Sequence, residues 1–279
     1  MNEAAQNQNP PKQYRKVLTI AGSDSGGGAG IQADLKTFSA IGCYGMSVIT
    51  ALTAQNTQGV TGIHPVPPAF AVDQLDAVLS DIGADAVKIG MLYSAELIEA
   101  VAAGLKKHRV RKIVLDPVMV AQSGDKLLQD DAVEAIKTVL MPLATVVTPN
   151  LPEAGVLTGQ AIQSREDVES AASALAAHGS RSILIKGGHR DDHESSDLLY
   201  LTGENRRVWL TAERVQTENN HGTGCTLSSA IAAYLALDHD IEPAVQKAKA
   251  YMNRAIAAGA AYKLGHGHGP VHHFFHWWV

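Results

Sequence analysis

The stretch Asn219-Asn220-His221-Gly222-Thr223-Gly224-Cys225-Thr226 has the residue types of an anion-handling loop. Two glycines sit among small polar residues. An apolar run follows, with Leu227, Ile231, Tyr234 and Leu235 on one helical face. The spacing predicts a glycine-rich loop feeding a helix N-terminus. Free backbone N–H groups and the positive end of the helix dipole meet there, which suits an anion. Cys225 falls in the first turn, a position that favours the thiolate and lowers a cysteine pKa. An anion pocket holding a potential base suggests phosphoryl transfer. The plainer alternative is a buried, inert cysteine in a core helix, because glycine before a helix is common.

Alternating elements must position this loop. Residues 17–21, 44–52, 86–91, 112–116, 145–148 and 182–186 read as strands, with a short extended piece at 63–66 after a turn region at 55–62. Helices are expected over 31–41, from Pro67-Pro68 to Gly83, and over 95–108, 130–140, 154–157, 165–178, 226–237 and 243–262. A hairpin spans 197–210 around Gly203. Several strands are continuous apolar runs. That pattern predicts an α/β fold with a mostly parallel central sheet covered by helices on both faces. No linker or repeat interrupts residues 17–279, which read as one domain after a disordered tail over 1–16. In such sheets ligands bind beyond the carboxyl ends of the strands. Asp24, Gln55, Asp116, Asn150 and Lys186 fall there.

Composition narrows the partners. The chain has 279 residues, a net charge of −5 and no long basic run, which argues against a nucleic-acid surface. Two cysteines, Cys43 and Cys225, are too few for a disulfide framework. No stretch of 18 apolar residues suggests a membrane span. These features point to a reducing, cytoplasmic setting. The aromatic segment 274–279 reads as packing, and the histidines between His266 and His276 as part of that segment rather than a metal tract.

Familiar nucleotide signatures are incomplete. Gly28-Ala29-Gly30-Ile31-Gln32-Ala33 matches G-x-G-x-x-A, but no acidic residue lies between Asp34 and Asp73 to hold a ribose. No Gly-Lys-Ser/Thr occurs, so a Walker A loop is absent. Phosphoryl transfer needs charge neutralisation, positioning and a proton acceptor. Backbone N–H groups of Gly222, Thr223, Gly224 and Cys225 could stabilise the transferring group. Asp116, Asn150 and Glu153 offer oxygens for hydrated Mg²⁺, and Lys186 could meet nucleotide phosphates. Asp116 before Pro117 could equally cap a turn, Asn150 and Glu153 could form a helix cap, and Lys186 could be a solvated strand end.

Longer motifs add a family resemblance. They are Ala21-Gly22-Ser23-Asp24 with residues 27–34, Ala54-Gln55-Asn56-Thr57, Lys88-Ile89-Gly90-Met91, Thr148-Pro149-Asn150-Leu151-Pro152-Glu153, Lys186-Gly187-Gly188-His189, His221-Gly222-Thr223-Gly224-Cys225-Thr226 and Gly269-Pro270-Val271-His272-His273. Over nearly everything from Leu18 to Trp278 the chain resembles the hydroxymethylpyrimidine/phosphomethylpyrimidine kinases, within the ribokinase-like superfamily. The resemblance implies a three-layer αβα fold and a homodimer. It also implies two ATP-dependent phosphorylations, of 4-amino-5-hydroxymethyl-2-methylpyrimidine and then of its monophosphate. By the same resemblance Cys225 stands where most of the superfamily has an aspartate base. Gln55 contacts the pyrimidine with Asp34, Met91 and Val118 near it, Asn150, Glu153 and Asp116 serve the Mg²⁺–phosphate side, and Lys186 serves the nucleotide. A carboxamide can pair twice with an aminopyrimidine edge, which supports Gln55; without the resemblance it reads as a turn residue. The Ser25-Gly26-Gly27-Gly28 run departs from the family's usual Pro-Ser-Gly-Gly type. Rival readings are a pyridoxal kinase and a non-catalytic vitamin sensor on the same scaffold. A lid is expected, from the hairpin around Gly203 or the loop 25–30.

Overall fold

The computed structural model describes residues 12–119, 131–187 and 194–278. In chain order it holds β1 (Lys16–Asp24), α1 (Gly30–Ile41), β2 (Tyr44–Asn56), β3 (Gly59–Pro65), α2 (Pro68–Asp81), β4 (Ala86–Ile89), α3 (Ala95–Lys107) and β5 (Ile113–Leu115). There follow α4 (Ala132–Ala135), β6 (Val146–Val147), α5 (Leu151–Thr158), α6 (Arg165–Ala176), β7 (Ser182–Ile185), β8 (Glu194–Leu201), β9 (Arg206–Glu213), α7 (Thr223–Ala236) and α8 (Ile241–Gly259). The nine strands form one sheet in the order β3-β2-β1-β4-β5-β6-β7-β8-β9. Strands β2 to β7 run parallel through β1, while β3 on one edge and β8 and β9 on the other are antiparallel.

Continuous apolar strands are explained by two cores. Side chains alternate across each strand. Leu18, Ile20, Val87, Ile89, Ile113 and Leu115 join one core with residues of α2, α3, α5 and α6. Val17, Ala86, Val114, Val146 and Leu184 join the other with residues of α7 and α8. Both faces are therefore buried, and the three-layer αβα expectation holds. Polar residues break the pattern at Thr19, Thr50, Lys88 and Ser182, all with no exposed surface, and Lys88 alone among them is charged.

The chain leaves β1 through α1 to β2 on one side, and later returns through α2 to β4 on the other. This reversal opens a crevice at the carboxyl ends of β1 and β4, where ligands of such sheets bind.

Three local expectations change. Strand β2 continues past Leu52 to Asn56, because Thr53 and Ala54 pair with Ile63 and Gly62 before a register shift at Gln55. Gln55 thus stands on a strand end rather than in a turn. The hairpin turn near Gly203 cannot be the lid. Leu201 pairs with Ser182 at the start of β7, so that turn lies at the opposite end of the sheet from the crevice. The first strand takes in Lys16, one residue into the expected tail. Residues 1–11 of that tail, the loop through Gly124, the start of the expected helix at residue 130, and Gly188-His189 lie outside the described residues.

Of the C-terminal histidines only His273 is buried, while His266, His268, His276 and the aromatic Trp277 and Trp278 are exposed, so the packing expectation holds for part of this segment. His273 Nε2 lies 3.0 Å from Thr226 Oγ1, and burial pushes its pKa down to about 3. The His268 N–H donates to Thr57 O at 3.0 Å.

Helix α3 begins with a side-chain cap, Ser94 Oγ accepting from the Leu97 N–H at 3.3 Å. Ser94→Ala should lower unfolding stability by about 1 kcal/mol, read from the urea midpoint, and leave turnover unchanged.

Candidate active site

Two glycine loops meet at the crevice. Gly222 caps α7 with φ 79°, and a Cβ there would overlap the Gly28 carbonyl oxygen. A side chain at Gly28 would run into the His221 ring. The Asp24 carboxylate ties the loops together. It accepts from the N–H groups of Gly26, Gly28 and Ala29 at 2.8, 3.0 and 2.8 Å, and lies 2.9 Å from His221 Nε2. Burial alone would raise its pKa, but His221 and the backbone donors outweigh that and hold it below the usual range.

The first turn of α7 therefore faces a cavity of about 920 Å³, lined by Thr223, Gly224 and Cys225 among others. The Thr223 N–H is already taken by Asn220 O at 3.3 Å. Those of Gly224 and Cys225, in the first turn, lack intrahelical acceptors and have the chemistry to meet an anion.

The cationic side is compact. Lys186 Nζ lies 2.8 Å from Asp116 Oδ1 and 3.8 Å from Glu153 Oε2. Thr148 and Ser228 also donate to Asp116. Burial would raise the Asp116 pKa, yet Lys186 and Lys88 bring it below normal. Burial would likewise lower Lys186, but Asp116 and Glu153 raise it to about 12. Asn150 and Glu153 form a full capping box on α5, at 2.8 and 2.7 Å. The cap and the site reading coexist, since both residues also line the cavity. Burial pushes Glu153 up to about 7, with Lys186 opposing and Asp116 adding to the rise.

Opposite lies an apolar wall. Met91 and Ala51 are buried together, with Val118 and Ile63 packed on them. Gln55 stands beside it, its Oε1 accepting from Thr53 Oγ1 at 3.1 Å. On the other flank, Lys249 pairs with Asp197 at 2.7 Å, and Asp197 accepts the Gly187 N–H at 2.9 Å. Both line the same cavity.

Two expectations fail. Asp34 does not reach the cavity. It is wholly buried, with its oxygens occupied by Lys88, Thr19 and Ser229. Cys225 is not acidified: burial pushes its thiol up to about 11, and Lys88 and the Gly30 N–H only partly offset this. The helix terminus does not offset this desolvation, although the half-buried thiol still lines the cavity. Sequence reasoning also passed over Lys88, the Asp24–His221 contact and the Lys249–Asp197 pair as site features. A lysine inside an otherwise apolar strand was the available signal for the first.

Mg²⁺ would fit this arrangement. Among the described residues no group of three or more His, Cys, Asp or Glu could hold a metal, but Mg²⁺ beside phosphates uses one or two carboxylates and keeps waters. Glu153 meets that need, because its Oε1 makes no hydrogen bond among the described residues and its raised pKa reflects an undercompensated carboxyl.

A parallel sheet between helix layers, with a glycine loop at a helix N-terminus over the switch point, defines a ribokinase-like small-molecule kinase. A family profile described as phosphomethylpyrimidine kinase matches residues 24–272. A hydroxymethylpyrimidine/phosphomethylpyrimidine kinase from Rhizobium meliloti is 54% identical over 94% of this chain and 98% of its own. The thiamine biosynthesis bifunctional protein ThiED of Geobacter sulfurreducens is 53% identical over 96% of this chain, which spans only 54% of that longer protein. A pyridoxal kinase from Staphylococcus aureus, solved with AMP-PCP and pyridoxal, superposes with a TM-score of 0.87 at 39% identity, covering 95% of both chains. The chain belongs to the phosphomethylpyrimidine kinase family, the hydroxymethylpyrimidine and phosphomethylpyrimidine kinases of thiamine biosynthesis.

Gly222→Ala should cut kcat by about 100-fold, the scale of losing an oxyanion donor, because the loop must move off Gly28; steady-state kinetics check this. Glu153 makes a second test. Its folded pKa of about 7 exceeds the ordinary carboxyl value, so the folded protein holds a proton that the unfolded chain has released. Stability should fall as pH rises from about 4.5 to 7. Glu153→Gln keeps an acceptor for the Asn150 N–H and should flatten that slope, measured by urea midpoints at pH 5 and 7.5.

Proposed function

We propose that the cavity binds ATP and the pyrimidine on opposite flanks of the α7 terminus and performs both phosphorylations there. What supports this reading is that Gln55, Gly224, Cys225 and the Lys186–Asp116–Glu153 cluster all line one cavity. The AMP-PCP complex of the similar pyridoxal kinase supports ATP as the phosphoryl donor. Mg²⁺, held by Glu153 with Asp116 behind it, supplies charge neutralisation on the phosphates. Lys186 adds a fixed cation. The Gln55 carboxamide pairs with the aminopyrimidine edge while Met91 and Val118 cover the ring face. Exposed Leu52 and Phe70, beside the edge strand β3, support a homodimer. The two free cysteines suit a reducing, cytoplasmic setting.

The two steps differ in their protons. In the first, the hydroxymethyl oxygen attacks the γ-phosphorus, the bond to the β-phosphate bridging oxygen breaks, and the hydroxyl proton passes to Cys225 Sγ, which must first be ionised against a burial that favours the thiol. In the second, the nucleophile is a phosphate oxygen. A phosphomonoester has its second pKa near 6, so at neutral pH it needs no base.

Cys225→Ala should therefore lower formation of the monophosphate by about 100-fold or more. Diphosphate formation from supplied monophosphate should fall by less than about tenfold. Mass spectrometry of products from Mg-ATP with each pyrimidine, and with pyridoxal in parallel, decides. Equal losses in both steps would make Cys225 part of the anion site only. Product from pyridoxal alone would move the assignment to pyridoxal kinase. Binding without any product would favour a sensor.

A further inference from the structure

Lys88 is a charge in a place where packing alone would select an apolar residue. Every other residue of β4 is apolar, and Lys88 itself is completely buried. Its ammonium contacts the two oxygens of Asp34 at 3.0 and 2.9 Å. Asp34 also accepts from Thr19 Oγ1 and Ser229 Oγ, each at 2.6 Å. A buried ion pair is a poor source of stability, because desolvating both charges cancels most of the attraction. Apolar groups of similar volume commonly serve as well or better. The pair's orientation gives it another use.

Lys88 lines the cavity and Asp34 does not. Four donors fill the Asp34 carboxylate, which matches its capacity. An ammonium has three donors, and the two contacts of Lys88 among the described residues both go to Asp34. One donor remains for the cavity side. A Cβ on Gly90 would come within 2.8 Å of the ammonium, so this glycine keeps its position clear. Ser229, which anchors Asp34, lies one turn beyond Cys225 on the same face of α7. The pair thus forms a buried dipole whose positive end belongs to the cavity that Cys225 also lines.

We propose that Lys88, held in place by Asp34, is a positioning residue that stabilises the Cys225 thiolate and so sets how readily Cys225 accepts the substrate proton. This rests on Cys225 acting as the base. Other charges face the same thiol. Asp34 on α1 and Asp116 after β5 oppose ionisation, and the Gly30 N–H favours it. Lys186 after β7 also interacts with it. Asp24 on β1 is engaged by His221, Lys249 on α8 by Asp197, and His273 of the C-terminal segment is held neutral by burial. Burial raises the thiol to about 11, and Lys88 is the largest influence against it.

The test is the rate of carboxamidomethylation by iodoacetamide across pH 7 to 10. It is followed on the Cys225 peptide by mass spectrometry so that Cys43 does not interfere. The Lys88→Met/Asp34→Asn double variant removes both charges and keeps polar partners for Thr19 and Ser229. Its thiol pKa should rise by about one unit. Thiolate at pH 8 then drops about tenfold, partly offset by greater nucleophilicity, for a rate about three- to tenfold slower. Lys88→Gln/Asp34→Asn replaces the ion pair by a neutral hydrogen-bonded pair, leaves no buried charge unpaired, and should slow alkylation to the same extent. An unchanged profile in either cooperatively folded double variant would overturn the proposal. The second variant decides should the first not fold. Undiminished first-step turnover in Cys225→Ala would remove the base assignment yet leave the alkylation result standing, so the two failures are distinguishable.

Discussion

The pocket depends on two backbones pressed together where no side chain fits. Gly222 lies against the Gly28 carbonyl, and Gly28 against the His221 ring. The helix terminus is therefore aimed by the loop that leaves β1, and not by α7 alone. Asp24 fixes that contact because its carboxylate gathers donors from residues 26 to 29 and from His221. From behind, the Asn219 amide donates to Gly259 O and Tyr262 O, and His221 bridges to Pro270. The end of α8 and the C-terminal segment thus hold the loop that positions the anion donors. Since Asp24 ends β1 and β1 borders the switch point, the sheet order and the phosphate site are one geometrical statement.

Much of this was legible in the chain. Continuous apolar runs are what strands buried on both faces must look like, so layer architecture and sheet direction followed from them. Gly222 to Cys225 announced a helix terminus through glycine and small polar residues. What escaped was whatever depends on contacts distant in sequence. Asp34 stood near the substrate by family resemblance alone. Only the fold turns it inward to Lys88, 54 positions away. Local position suggested an acidic Cys225, whereas burial, together with charges and a donor from three other segments, sets its pKa. Gln55 looked like a turn because its pairing partner, Val60, lies across a register shift that periodicity does not reveal.

Three lysine–aspartate pairs surround the cavity: Lys88–Asp34, Lys186–Asp116 and Lys249–Asp197. Each joins elements from different parts of the chain, and each buries charge at a cost that attraction within the pair barely offsets. Their clustering around one cavity is the mark of a site that must receive polyanions. Glu153 is the exception. It has no lysine of its own and shares Lys186 at 3.8 Å, so its carboxyl hovers near neutrality at about 7.

The same reasoning explains why a thiol suits the position of a base here. The site takes an alcohol in one step and a phosphomonoester in the next. A carboxylate at that position, with an ordinary pKa of about 3.9, would be charged in both steps. It would then repel the phosphate nucleophile, itself largely dianionic above its second pKa of about 6. A thiol raised to about 11 is neutral when the phosphate arrives. That value already includes the pull of the Lys88 ammonium, without which ionising the thiol as a base would be harder still. Asp34 holds this ammonium in the floor, so it adds no charge that the incoming phosphate could capture. The raised thiol and the buried pair are two halves of one arrangement, in which a single pocket serves two nucleophiles with different proton demands.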